Sequence, residues 1–120
     1  MENKKYKYTM EISEGIDFRG VGGLVKRLIH PTTTGSEQLG MGIVYLCPGE
    51  ELPPHKHFNE EAYFILEGSG IMRIEGCEEE IVLKKNLSVY MPAEKEHYTK
   101  NTGNEMLVFI CALAPPPVAK

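Results

Sequence analysis

The 120-residue chain has no tryptophan, only three cysteines, few aromatics and no excess of positive charge. Seventeen acidic residues against thirteen basic ones leave a formal net charge of −4. No basic cluster exceeds the Lys4-Lys5 and Lys84-Lys85 doublets. That balance gives no footprint for nucleic acid or an anionic membrane. No apolar run approaches the roughly 20 residues that cross a bilayer. The N-terminal MENKKYKYTM lacks the apolar core of about 7–15 residues that a signal peptide needs. A soluble, cytoplasmic chain is expected. Cys47, Cys77 and Cys111 are odd in number and show no CxxC spacing, which suits reduced thiols at strand positions better than a disulfide scaffold. A helical pattern is missing too, since no apolar period near 3.6 is sustained over ten or more residues.

What the chain does contain is a succession of short apolar stretches. VKRLIH, MGIVYLC, AYFILEG, GIMRIEG, EEIVLK, LSVYM, HYTKN and MLVFICAL have strand lengths and lie between Gly, Pro and Asn turn signals. Gly68-Ser69-Gly70 reads as a hairpin connection, with tight reversals at Glu75-Gly76-Cys77 and Asn101-Thr102-Gly103-Asn104. The length suits one domain. An all-β, antiparallel fold follows, which must protect its edges by closing into a barrel or stacking two sheets as a jelly roll. The tail APPPVAK, from Ala114, cannot pair as a central strand and reads as a polyproline-like extension or surface arm.

The stretch PPHKHFNEEAYFILEGSG, residues 53–70, carries the chemistry. If His55 to Ile65 is extended, His55, His57, Glu61, Tyr63 and Ile65 share one face. Two imidazoles and a carboxylate suit Mn, Fe, Ni, Co or Zn, and the soft ligands that select Cu(I) are missing. His97 opens a later strand, on one face with Thr99 and Asn101, and supplies a third imidazole. An HxH pair taken alone is ordinarily a pair of solvated surface histidines. The wider spacing says more.

Gly49, His55, His57, Glu61 and Gly68 fall at the spacing G-x5-H-x-H-x3-E-x6-G, which resembles the first cupin motif at every defined position. Pro92, His97 and Asn101 match the second, with Asn86 and Glu94 where that motif usually has glycine. The resemblance implies a small single-domain cupin, a double-stranded β-helix or jelly-roll barrel holding one divalent metal ion on His55, His57, Glu61 and His97. On that basis residues 1–39 supply additional strands and a homodimer interface, 40–113 the conserved barrel, and 114–120 a proline-rich tail. Asn86 tolerates a left-handed backbone. Glu94 there implies steric strain or a shifted loop, with consequences for His97.

Around the site, Tyr63 either donates to a bound oxyanion as an acid or fills the barrel as an aromatic. Glu60 and Lys56 alternate outward, as does Arg73 between Met72 and Ile74. His30 reads as a packed or surface histidine, with substrate binding as its lesser reading, and Tyr45, Met91, Phe109 and Cys111 as wall positions. Four protein ligands would leave two positions open on an octahedral ion, the mark of a catalytic site. The reading favoured is a metal-dependent enzyme, using the ion as Lewis acid on a carboxylic acid or sugar derivative by lyase, decarboxylase or isomerase chemistry. An Fe(II) dioxygenase and a non-catalytic module for a sugar or anion are the alternatives.

Overall fold

The computed structural model describes residues 6–19 and 22–117. Ten strands among them form two antiparallel sheets. The larger has the order β1 (Ile16–Phe18), β2 (Leu24–Ile29), β3 (Gly40–Leu46), β10 (Leu107–Ala114), β5 (Glu60–Glu67) and β8 (Ser88–Met91). The smaller runs β4 (Glu51–His55), β9 (His97–Lys100), β6 (Gly70–Ile74) and β7 (Ile81–Leu83). A single 3-10 turn, Ile12–Glu14, is the only helical element among the described residues.

All eight apolar stretches of the sequence lie in strands, and every pairing is antiparallel. Burial follows the period of two: β5 alternates exposed and buried from Glu60 to Ile65, and β8 does so throughout. The inward side chains of both sheets meet in one core. Leu46, Ile65, Met72, Leu83, Met91, Leu107 and Phe109 are there with no accessible surface.

Two connections differ from the hairpins expected. Gly68-Ser69 joins β5 to β6, and Asn101–Met106 joins β9 to β10, but in each case the two strands belong to opposite sheets. The turn residues signal a reversal of the chain; which strand it then pairs with is decided by long-range burial. Gly68 has φ 88° and lies so close to Met106 that a Cβ would sit 2.4 Å from its carbonyl oxygen, so glycine is required for the crossing itself. Asn101 locks the other crossing. Fully buried, it donates from Nδ2 to the Leu46 and Glu105 carbonyls, both at 2.8 Å, and accepts from the Gly103 N–H at 2.9 Å.

Two of the cysteines are not strand residues: Cys47 and Cys77 lie exposed in connections, and Cys111 is buried in β10. The proline tail is not a free arm either. Strand β10 runs through Ala114, and Pro116 and Pro117 are half-buried over Gly40, where a Cβ would meet both at 3.1 Å. The Pro115 carbonyl accepts from buried Asn59 at 2.6 Å. Residues 118–120 of that tail, like the Lys4-Lys5 doublet, lie outside the described residues.

Candidate metal centre

His55 and Glu61 do not belong to one continuous strand. Strand β4 ends at His55, the chain bends through 56–59, and β5 begins at Glu60 in the opposite sheet. His57 sits in that bend, and β9 delivers His97 directly opposite His55 in the ladder. The convergence read from alternation therefore arises differently: three separate pieces of backbone meet across the end of the barrel. The His55 and His97 rings are 4.3 Å apart between centroids, His57 and His97 5.3 Å, and His55 and His57 5.7 Å.

Each ring is aimed by its own backbone. Nδ1 of His55 bonds to the Pro53 carbonyl at 2.7 Å, that of His57 to the Asn59 carbonyl at 3.1 Å, and that of His97 to the Lys95 carbonyl at 3.1 Å. A carbonyl only accepts, so all three Nδ1 atoms carry the proton and each Nε2 is left with a lone pair. The three histidines offer ligand atoms within 4.8 Å of one another, a grouping that could hold a metal ion. Glu61 adds a carboxylate oxygen 3.2 Å from His57 Nε2 and 3.4 Å from His97 Nε2.

In its neutral form this arrangement turns lone pairs toward lone pairs. His97 Nε2 is buried without a hydrogen-bond partner, and Glu61 is buried beside it. Such a cluster is stable only with protons or a cation between its members. The titrating groups show the tension. Glu61's hydrogen bond raises the pKa of His57, whereas burial lowers that of His55. Burial pushes Glu61 upward, but the His57 and His97 rings facing it outweigh that and hold the carboxyl below its usual range. The donor set and the orphaned Nε2 fit a divalent ion of the kind imidazole and carboxylate prefer.

Glu94 takes the strained alternative. It adopts φ 65°, Asn86 φ 73°, and the Glu94 N–H reaches the His57 carbonyl at 2.8 Å. His97 keeps its place in the cluster. Glu60, Lys56 and Arg73 point outward as expected; Glu60 accepts from the Tyr90 hydroxyl at 3.0 Å. Tyr63 is buried with its ring 4.3 Å from Phe109, and burial, with the Glu61 charge behind it, raises its pKa well above the usual phenol value.

His55, His57 and Glu61 open onto a cavity of about 180 Å³ between the sheets. Of the four expected wall residues only Cys111 lines it; Met91 and Phe109 pack in the core and Tyr45 does not reach it. Gly40 and Gly42 do line it, and so do Arg27 and His30. Sequence reasoning missed them. The signal available was β3 itself, whose inward positions read Gly40, Gly42, Val44, Leu46: an alternation in which two side chains are missing.

The class is defined by a two-sheet barrel with a histidine cluster and an apolar cavity at one end. The family model for the cupin domain matches residues 42–113, and the chain belongs to that family. Protein MJ1618 of Methanocaldococcus jannaschii is 31% identical over 96 residues, covering 79% of this chain and 75% of that protein. Dimethylsulfoniopropionate lyase DddW of Ruegeria pomeroyi is 38% identical over 89 residues, covering 74% of this chain; the match spans only 57% of the lyase. Among solved structures, a predicted oxalate decarboxylase from Thermotoga maritima superposes with a TM-score of 0.74 at 23% identity, over 88% of this chain and 97% of that one. That likeness establishes the fold.

Proposed function

We propose that this protein is a metal-dependent enzyme acting on a small oxygenated molecule, with one divalent ion held by His55, His57, Glu61 and His97. The observation that carries the reading is the common orientation of the three imidazoles, each fixed through Nδ1 to a backbone carbonyl so that Nε2 faces its neighbours and Glu61. When bound, such an ion supplies Lewis acidity toward a carbonyl or carboxylate oxygen.

The chain's own residues do the rest. The backbone anchors hold the rings still, so little reorganisation is needed when a ligand arrives. Val25, Val44, Leu52 and Leu113 line the cavity and exclude water from an apolar body. Tyr63 lines the same cavity and, with its raised pKa, keeps its phenolic proton at neutral pH; in this reading it donates a hydrogen bond to an oxyanion without giving the proton up. The similarity to a lyase favours bond cleavage without net oxidation.

Elemental analysis of protein purified without a histidine tag or added metal tests the reading. One equivalent of Mn, Ni, Co or Zn per chain is expected, and loss of that equivalent in His57→Ala with the circular dichroism unchanged. Iron would direct the work to oxygen consumption. Equal metal content in the variant, or no uptake on reconstitution, would overturn the assignment.

A further inference from the structure

The cavity wall facing the histidines carries a cation that the fold leaves without a counter-charge. His55 and His97 stand on the four-stranded sheet; Arg27 stands on β2 of the six-stranded sheet and lines the same cavity. It is paired in register with Gly42, and directly opposed residues of an antiparallel ladder share a face, so Arg27 stands on the same side as Gly42, which lines the cavity too. The neighbouring residue makes the contrast. Lys26 faces the other way and is ion-paired with Asp17 at 2.6 Å, whereas no carboxylate among the described residues lies within ion-pair distance of Arg27.

Arg27 is nonetheless held in place. Its guanidinium carbon lies 4.5 Å from the centre of the Phe18 ring, a cation–π contact that fixes the planar group while leaving its N–H donors free. Among the described residues that line the cavity, Glu61 is the only carboxylate, and its Oε1 is occupied with His57 and His97. Burial lowers the pKa of His30 and Arg27's charge acts in the same direction, whereas at Cys111 that charge only slightly opposes the burial that raises the thiol's pKa.

His30 contributes a second unmet donor. The Thr32 N–H donates to its Nδ1 at 3.2 Å, which places the ring proton on Nε2. That Nε2 is buried, in a residue 1% exposed, and makes no hydrogen bond of ordinary geometry; burial lowers the pKa of the ring and the Pro117 carbonyl partly opposes that. One wall of an otherwise apolar cavity thus presents a guanidinium without a counter-charge and a buried imidazole N–H that only the Pro117 carbonyl approaches.

We propose that Arg27 is an anion-binding residue of this cavity, assisted by His30, and that its ligand carries a carboxylate joined to a short aliphatic body. This deepens the small-molecule reading above and rests on it, but it does not require the metal. A planar carboxylate matches the two-pronged guanidinium, the aliphatic lining of Val25, Ile29, Val44 and Leu113 matches a body of a few carbons, and about 180 Å³ is below the roughly 300 Å³ at which cavities for drug-sized ligands begin.

The test is calorimetric titration of the full chain with pentanoate and with its neutral isostere pentanamide, before and after chelation. Pentanoate is expected to bind the chelated protein, and Arg27→Gln to weaken it at least about tenfold, as loss of a hydrogen bond to a charged group does. Pentanamide is expected to bind weakly and equally to both. Arg27→Lys, which keeps the charge but not the fork, should fall between them, and it carries the test if Arg27→Gln fails to fold. Acid and amide binding alike, or pentanoate affinity unchanged in both variants, would overturn the proposal. Pentanoate binding abolished by chelation would also overturn it, by assigning the carboxylate to the metal. Binding that survives chelation and falls with Arg27→Gln supports it even in a chain that proves to hold no metal.

Discussion

The barrel has two ends built from the same strands, and they differ residue by residue along each one. On β3 the inward positions pass from Leu46 and Val44 to Gly42 and Gly40; on β5, from Ile65 and Tyr63 to Glu61; on β9, from Thr99 to His97; on β10, from Leu107 and Phe109 to Cys111 and Leu113. One end is filled with apolar side chains. The other has glycines against which the Lys26 carbonyl and the tail prolines pack closely, and polar groups that need an external partner. Alternation decides which residues point inward, whereas identity along the inward row decides whether that stretch stabilises the fold or serves a ligand. A protein that hollows part of its core gives up burial there, so the packed end must supply most of the stability.

The largest expected effect separates the ends directly. Phe109 is fully buried and packed against Tyr63, and Phe109→Ala should cost about 3–5 kcal/mol through lost burial and a residual void. His97→Ala, at the hollow end, should cost about 1–2 kcal/mol in metal-free protein and remove the bound ion. Denaturant titration with chelator, paired with metal analysis, reads both. Equal costs for the two substitutions would show that the packed and hollow ends are not energetically distinct.

A second contrast lies among the thiols. Cys47 and Cys77 are exposed, while Cys111 is 5% exposed on the cavity wall and burial pushes its pKa up from 9.0 to about 12, with the Glu61 charge adding to the effect. The thiolate is the reactive form, so at pH 8 iodoacetamide should modify two cysteines quickly and Cys111 only on unfolding, as mass spectrometry would show. The same shift sets a sign. A folded pKa above the unfolded value means the stabilising contribution is whole below pH 9.0 and is lost as pH rises toward about 12. Cys111→Ala should therefore flatten the alkaline fall in stability. Rapid modification of all three thiols in the native protein would mean the cavity is open to solvent.

Much of this molecule was legible in its sequence. The strands and their antiparallel arrangement follow from period-two burial, and the grouping of His55, His57 and His97 from motif spacing, although the chain bends between His55 and Glu61 where one extended strand was expected. The register was not. Gly68-Ser69 looks like a hairpin turn because reversal chemistry is local, but the choice between pairing with the previous strand and crossing to the other sheet depends on contacts far along the chain. The cavity was hidden for a related reason. Gly40 and Gly42 are informative only once β3 is known to pair with the strand of Arg27, and His30 reads equally as packed or surface until Pro117 is seen to share its cavity.

The smallest effect concerns the turn that carries the chain from β8 to β9. Glu94 is held at φ 65° so that its N–H meets the His57 carbonyl, and an L-residue there bears roughly 1–2 kcal/mol of strain. Glu94→Gly removes that strain but gives the unfolded chain more freedom, about 0.4–1 kcal/mol in the opposite direction. The net gain should be ~1 kcal/mol or less, seen as a higher denaturant midpoint at constant slope. Asn86→Gly should change less, because asparagine tolerates its φ of 73°. Glu94→Ala keeps the Cβ and should show no gain. If the alanine variant is as stabilised as the glycine one, the cost at this turn lies in the glutamate side chain and not in the backbone that aims His57 and His97.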